Sequence, residues 1–112
     1  STDVRISEYR AVWLCVLFDL PVLSPQQRHA YAVFRRKLKK DGFTMLQYSV
    51  YVRHCASGEN ADVHIGRVKE IIPPEGLVSV LSITDKQYNT MITFWGRRRK
   101  PNAPAPQQIE MF

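Results

Sequence analysis

The stretch Trp13–Pro21, WLCVLFDLP, decides how the chain is read. Its first six residues are apolar, an aspartate follows, and a proline closes it. Extended back to Ala11, the run 11–19 has the near-continuous hydrophobicity of a strand buried on both faces. Pro21 cannot donate to a ladder, so the strand stops before it. Asp19 therefore sits at the rim of a sheet rather than in its core. A carboxylate there has two readings. It could be a turn aspartate bonding backbone N–H groups ahead of Ser24, or an oxygen ligand for Mg²⁺ or Mn²⁺. One carboxylate alone is a poor metal site, and no acid nearby in sequence supplies a second; a symmetric dimer could bring in another Asp19 across its two-fold axis.

Working outward, Ser24-Pro25 is a helix start, with serine as cap and proline at the first helical position. Tyr31, Phe34 and Leu38 follow on one apolar face, and Gly42 is a C-terminal stop, so the pattern predicts a helix over 25–41. Residues 43–55, FTMLQYSVYVRHC, are rich in aromatic and branched residues and fit one bent strand or two short strands broken near Tyr48. Ser57 can cap a second helix whose stripe is Ala61, Ile65, Val68 and Ile72, ended by Pro73 and Pro74. LVSVLSIT, 77–84, alternates as a half-buried strand does, and YNTMITFWG, 88–96, reads as a further strand. The resulting order, β-α-β(β)-α-β(β), predicts an α+β ferredoxin-like sandwich with helices on one face of an antiparallel sheet and the first strand central. Residues 1–10 read as a flexible arm, 11–96 as the domain, and 97–112 as a basic, proline-rich tail.

At 112 residues and 45% hydrophobic, the chain is the size of one domain with a core of its own. No run approaches the roughly 20 apolar residues that span a membrane. Two cysteines, Cys15 and Cys55, are too few for a disulfide framework and lack metal spacing; a reducing bacterial cytoplasm is the expected setting. His29, His54 and His64 match no metal motif, and His29 and His64 read as surface residues on helices. Ser49 and Ser57 lack a nucleophile-elbow context, and the five glycines form no phosphate loop.

The charge is more informative. The net charge is +6, and it is concentrated in Arg28, Arg35, Arg36, Lys37, Lys39 and Lys40 and in the run Arg97, Arg98, Arg99 and Lys100. On a helical wheel Arg28, Arg35 and Lys39 group together, with Arg36 and Lys40 in an adjacent row, away from the Tyr31–Phe34–Leu38 side. No acid balances them before Asp41, so pairs along the helix do not account for the face. Phosphate contacts do, and these carry no base sequence. The aromatics are not interleaved with these cations along the chain, which favours a duplex backbone over stacking of single strands.

VLFDLP (16–21), LKKDGFTMLQYSVYVRHC (38–55) and IPPEGLVSVLSIT (72–84) together resemble CRISPR-associated protein 2. The resemblance covers about residues 9–96, with the landmarks in order, and is nearest to members from type II loci. It implies a ferredoxin-like homodimer in which strands after the second helix cross to the partner. It also implies a complex with CRISPR-associated protein 1, the integrase, in which the dimer bridges integrase dimers and holds the captured DNA duplex for spacer integration. Asp19 matches the family aspartate at the end of the first strand. Paired across the dimer, that aspartate is proposed in some relatives to hold Mg²⁺ or Mn²⁺ for endonuclease activity; in others the activity is absent or not required. Outside this core, QIEMF (108–112) resembles the sliding-clamp pentapeptide Gln-Leu-x-Leu-Phe, with Gln108, Ile109, Met111 and Phe112 as anchors on a proline-rich tether.

Overall fold

The computed structural model describes residues 10–101. Strand β1 runs Val12–Asp19, helix α1 Pro25–Lys40, β2 Thr44–Gln47, β3 Val50–Cys55, α2 Gly58–Ile71, β4 Leu77–Thr84, α3 Asp85–Asn89, β5 Thr93–Trp95 and β6 Arg98–Lys100. The main sheet has the order β2-β3-β1-β4, and every neighbouring pair is antiparallel. This is the ferredoxin-like α+β arrangement, with β1 central. Both strand alternatives for 43–55 are resolved in favour of two strands, with the turn at Tyr48-Ser49 and a register shift between Met45 and Gln47.

The all-apolar character of β1 has a direct cause. Its side chains alternate between two cores. Val12, Leu14, Val16 and Phe18 pack with Phe34 and Leu38 of α1 and Ala61 and Val68 of α2. Trp13 and Cys15 point to the opposite face and pack with Val52 and Tyr88. Each well-buried large apolar side chain contributes about 1.5–3 kcal/mol relative to exposure, so a strand that serves two cores tolerates few polar residues. Cys15 and Cys55 are free and buried, and burial raises both thiol pKa values.

The helix starts follow local chemistry. Ser24 Oγ accepts from the Gln27 N–H at 3.1 Å while Gln27 Oε1 accepts from the Ser24 N–H at 3.0 Å, a reciprocal capping box. Helix α1 ends at Lys40 with Asp41 as its C-cap, and Gly42 follows at φ 88°, a conformation only glycine takes without strain. Ser57 caps α2 by accepting from the Asn60 N–H at 3.0 Å.

The structure corrects the reading of 88–96 as a strand. Thr84 and Gln87 form a second capping box, Gln87 N–H to Thr84 Oγ1 at 3.1 Å and Thr84 N–H to Gln87 Oε1 at 2.9 Å. That box starts the short helix α3, so Tyr88 is helical and buried. The remainder turns back on itself at Gly96 (φ 60°), and β5 pairs with β6 as a separate two-stranded hairpin. Arg98–Lys100, read as the start of a tail, is thus a strand. Position Ile72, read as part of the α2 stripe, is its C-cap and is exposed.

Candidate metal-binding rim and nucleic-acid interface

Asp19 is the last residue of β1 and is exposed. Its neighbours Phe18 and Leu20 are buried in the helix-side core, so strand alternation puts Asp19 on the other face. Two of the N–H groups that a turn aspartate could engage are used elsewhere: those of Leu23 and Ser24 donate to Gln27 Oε1 at 2.9 and 3.0 Å. Across the ladder Asp19 is in register with Leu77, and Gly76 lies against the end of β1. A Cβ built on Gly76 would stand 2.6 Å from the Asp19 carbonyl oxygen, and its φ is 98°. The glycine of the PPEG turn is therefore required twice, by backbone conformation and by close approach to Asp19.

The face that carries Asp19 is covered over half its length only. At one end Tyr88 of α3 stacks on Trp13, with ring centroids 3.9 Å apart and planes 8° from parallel. At the Asp19 end Leu17, Leu81 and Leu77 are 40%, 52% and 73% exposed. Register places Leu81 opposite Cys15 and Leu77 opposite Asp19, so these leucines share Asp19's face. Among the described residues no group of three or more His, Cys, Asp or Glu side chains could hold a metal ion. Among the described residues, Asp19 is thus not part of a ready-made metal cluster within one copy of the chain.

The histidines divide. His29 is exposed on α1 as expected. His64 is not a surface residue: it is 4% exposed. It falls three residues after Ala61 and four before Val68, on the buried side of α2. Its Nδ1 lies 2.7 Å from Asp41 Oδ2, and Arg67 donates to Asp41 Oδ1 at 2.7 Å, tying the end of α1 to α2. Burial alone would raise the Asp41 pKa, but the hydrogen bonds from Arg67 and His64 outweigh it and hold the carboxyl below its ordinary value. His54 Nε2 lies 3.0 Å from Asp85 Oδ1, and its ring meets Trp13 edge-on at 5.0 Å. Both clusters connect packed elements and lie apart from the Asp19 rim in the sheet register, since His54 pairs with Trp13 at the other end of β1.

The basic residues are not equivalent. Arg28 donates to the carbonyls of Val22 and Leu23 at 3.2 and 2.9 Å. Arg35 donates through Nε to the Tyr51 hydroxyl at 2.8 Å and lies over the Tyr31 ring at 5.6 Å. The hydrogen bond to Tyr51, against a smaller opposing effect of burial, raises its pKa further. Two of the helix cations thus brace loops and core. Arg36, Lys37, Lys39 and Lys40 are exposed on α1, and Arg97, Arg98, Arg99 and Lys100 are exposed on the hairpin.

The family described as CRISPR associated protein Cas2 matches residues 12–91 of this chain. The chain belongs to that family. Three relatives show how far the likeness runs. A CRISPR-associated endoribonuclease Cas2 of Parvibaculum lavamentivorans is 48% identical over 101 residues, 90% of this chain and 100% of the relative. One of Flavobacterium psychrophilum is 43% identical over 108 residues, 96% of this chain and 94% of the relative. One of Treponema denticola is 49% identical over 76 residues, 68% of this chain and 75% of the relative. No helix among the described residues is long and apolar enough to cross a membrane.

In this member of the family the sequence points to Asp19 but not to the surface around it. The exposed leucines follow from strand alternation once register is known, and register is not visible in a single strand. The Asp41–His64–Arg67 cluster has one local sign, the spacing of His64 to Ala61 and Val68. The clamp-like motif at Gln108, Ile109, Met111 and Phe112 lies outside the described residues.

Proposed function

We propose that this chain is the structural and DNA-binding subunit of a CRISPR adaptation complex. It acts as a homodimer that bridges dimers of the CRISPR-associated protein 1 integrase and holds the prespacer duplex for spacer integration. The observation that carries the reading is the half-open sheet face, where exposed Leu17, Leu77 and Leu81 surround an exposed Asp19. Apolar surface continuous with a sheet is stabilised by burial. A second copy applied about a two-fold axis would cover it and set two Asp19 carboxylates facing one another. The exposed cations of α1 and of the hairpin supply duplex phosphate contacts. Mixing the chain with its integrase and a short duplex, then sizing the product by light scattering, should give one complex holding both proteins and DNA. Separate elution of the three components would end this reading.

A second reading, favoured by the relatives' names as endoribonucleases and by the exposure of Asp19, is a metal-dependent endonuclease. Two Asp19 carboxylates fit a hard divalent cation such as Mg²⁺ or Mn²⁺, which takes oxygen ligands and leaves positions for water and phosphate. Such an ion would activate water and offset charge on the phosphodiester. Asp19→Ala separates the readings. Loss of RNA or DNA cleavage with integration intact supports an accessory nuclease, whereas loss of integration with DNA and integrase binding intact would overturn the scaffold role. The tail residues Gln108, Ile109, Met111 and Phe112 are proposed to dock on the sliding clamp; deletion of residues 107–112 should abolish a clamp pull-down and leave the dimer unchanged.

A further inference from the structure

The hairpin of β5 and β6 brings together what the linear sequence keeps apart. Along the chain the aromatics Phe94 and Trp95 precede the cations and do not alternate with them. In the folded hairpin Phe94 lies opposite Arg99, Trp95 opposite Arg98, and Thr93 opposite Lys100. Residues directly opposite in an antiparallel pair share a face, with Cβ atoms about 4.5–5.5 Å apart. Trp95, Arg98 and Lys100 therefore share one face, and the Lys100 ammonium stands 5.2 Å from the Trp95 ring centroid. Trp95 is 74% exposed and Phe94 60% exposed. Trp95, Arg98, Arg99, Lys100 and Pro101 line an open cleft. The segment from Thr93 to Pro101 contains no acidic residue.

We propose that this hairpin is a stacking site for an unpaired DNA strand, with Trp95 as the platform for a base and Arg98 and Lys100, on the same face, as partners of the flanking phosphates. Two independent needs of a single strand are met on one small surface. Bases freed from pairing present apolar faces, and a flat exposed indole stacks on any of them without reading sequence. Phosphates at either side of a stacked base need cations within a few ångströms, and the cross-strand register supplies them. A duplex offers no free base face, so it gives Trp95 nothing to stack on. Its phosphates can engage the cations of α1 and of the hairpin alike, while Trp95 is left for unpaired nucleotides at the ends of a bound duplex. Stacking and phosphate contacts act alike on DNA and RNA; DNA is the strand expected here because the duplex held in the role proposed above is DNA. The inference rests on the nucleic-acid-holding role proposed above and adds to it the kind of strand this element takes.

Tryptophan fluorescence gives the test. The chain has two tryptophans, and Trp13 is 5% exposed while Trp95 is 74% exposed. Titrating the full chain with a short oligo(dT) should quench the signal of Trp95, and a duplex of equal length should quench it less. Trp95→Ala should weaken oligo(dT) binding by roughly 5- to 150-fold, the range expected for loss of one stacked base. Trp95→Phe, which keeps a flat ring, should bind within a few-fold of the parent by fluorescence anisotropy. Arg98→Ala with Lys100→Ala should reduce the slope of log affinity against log salt by about 0.7 for each phosphate left without its cation. Unchanged oligo(dT) affinity in Trp95→Ala would overturn the proposal, as would selective binding of the matching RNA strand. A shift of Trp95→Ala toward monomer with oligonucleotide affinity retained would assign the hairpin to an interface between copies and would equally overturn it. Failure of the parent to bind duplex at all would instead count against the function proposed above, so the two ideas fail separately.

Discussion

Replacing Tyr88 with Ala should uncouple one half of the sheet face from the rest of the fold. Helix α3 has five residues, far too few to be stable by itself. What holds it is Tyr88, 1% exposed and stacked on Trp13 at 3.9 Å, together with the Thr84–Gln87 box. Truncating a buried aromatic to Ala costs about 3–5 kcal/mol. In this fold the loss falls on a peripheral element, so α3 should open while the helix-side core stays closed. The reporter is already present. Cys15 lies under α3 in the cluster with Trp13 and Tyr88, whereas Cys55 belongs to the helix-side core. If thiol labelling proceeds through fast local opening, its rate follows the opening equilibrium. A cost of about 3–5 kcal/mol then corresponds to labelling of Cys15 faster by about 150-fold to a few thousand-fold. Cys55 should label slowly, as in the parent. Mass spectrometry after timed alkylation distinguishes the two positions. Equal acceleration at both cysteines would mean that the two cores open together, and no acceleration at Cys15 would mean that α3 stays seated without Tyr88; either result refutes the reasoning.

Three further outcomes follow from single residues. Gly76→Ala places a non-glycine residue at φ 98° with its Cβ 2.6 Å from the Asp19 carbonyl oxygen; chemical denaturation should show a loss of about 2 kcal/mol or more. Asp41→Asn should cost about 1–3 kcal/mol at neutral pH by weakening its bonds to His64 and Arg67. Because the folded Asp41 pKa is depressed below its ordinary 3.8, that contribution is fully present above this value and is lost as pH falls through the lower folded pKa. The gap between parent and variant, followed by denaturant titration, should therefore be constant near neutrality and close only in strong acid. Leu81→Asp, at a position already 52% exposed in one copy, should leave thermal stability of the single chain nearly unchanged yet shift sedimentation to the monomer; a persistent dimer would exclude the open half-face as its interface.

The parts of the fold that can be seen in the sequence are those fixed by short-range chemistry. The Ser24-Pro25 start, the Phe34–Leu38 face and the unbroken apolar run of β1 each depend on neighbours within a turn or a strand, and each appears where expected. The sandwich follows from their order. What misleads is also local. TDKQ, Thr84–Gln87, has the spacing of a capping box, but the aromatic and branched residues behind it look like one strand, which merges α3 with the hairpin. His64 looks exposed by its polar neighbours, while its spacing to Ala61 and Val68 places it inside. The partners that make these positions intelligible, Asp41 for His64 and Trp13 for Tyr88, are far away in sequence. At the rim, Asp19 stands out because an acid is conspicuous at the end of an apolar run. Leu17, Leu77 and Leu81 do not, since an exposed leucine is indistinguishable from a buried one until pairing assigns its face.

The placement of β1 has a consequence for how the rim carboxylate behaves in time. The strand is bonded along both edges, to β3 and to β4, and its end is pinned again where the Phe18 N–H donates to the Ser49 carbonyl at 3.0 Å. Its amides should be among the slowest to exchange with solvent, opening only with global unfolding. Asp19 therefore projects from backbone bonded on both sides as far as Phe18 and held to β4 at Leu77, while its side chain stands in water. Whatever it meets there, a cation or its own counterpart, the chain entropy of positioning it has been lost at folding and is not lost again on association.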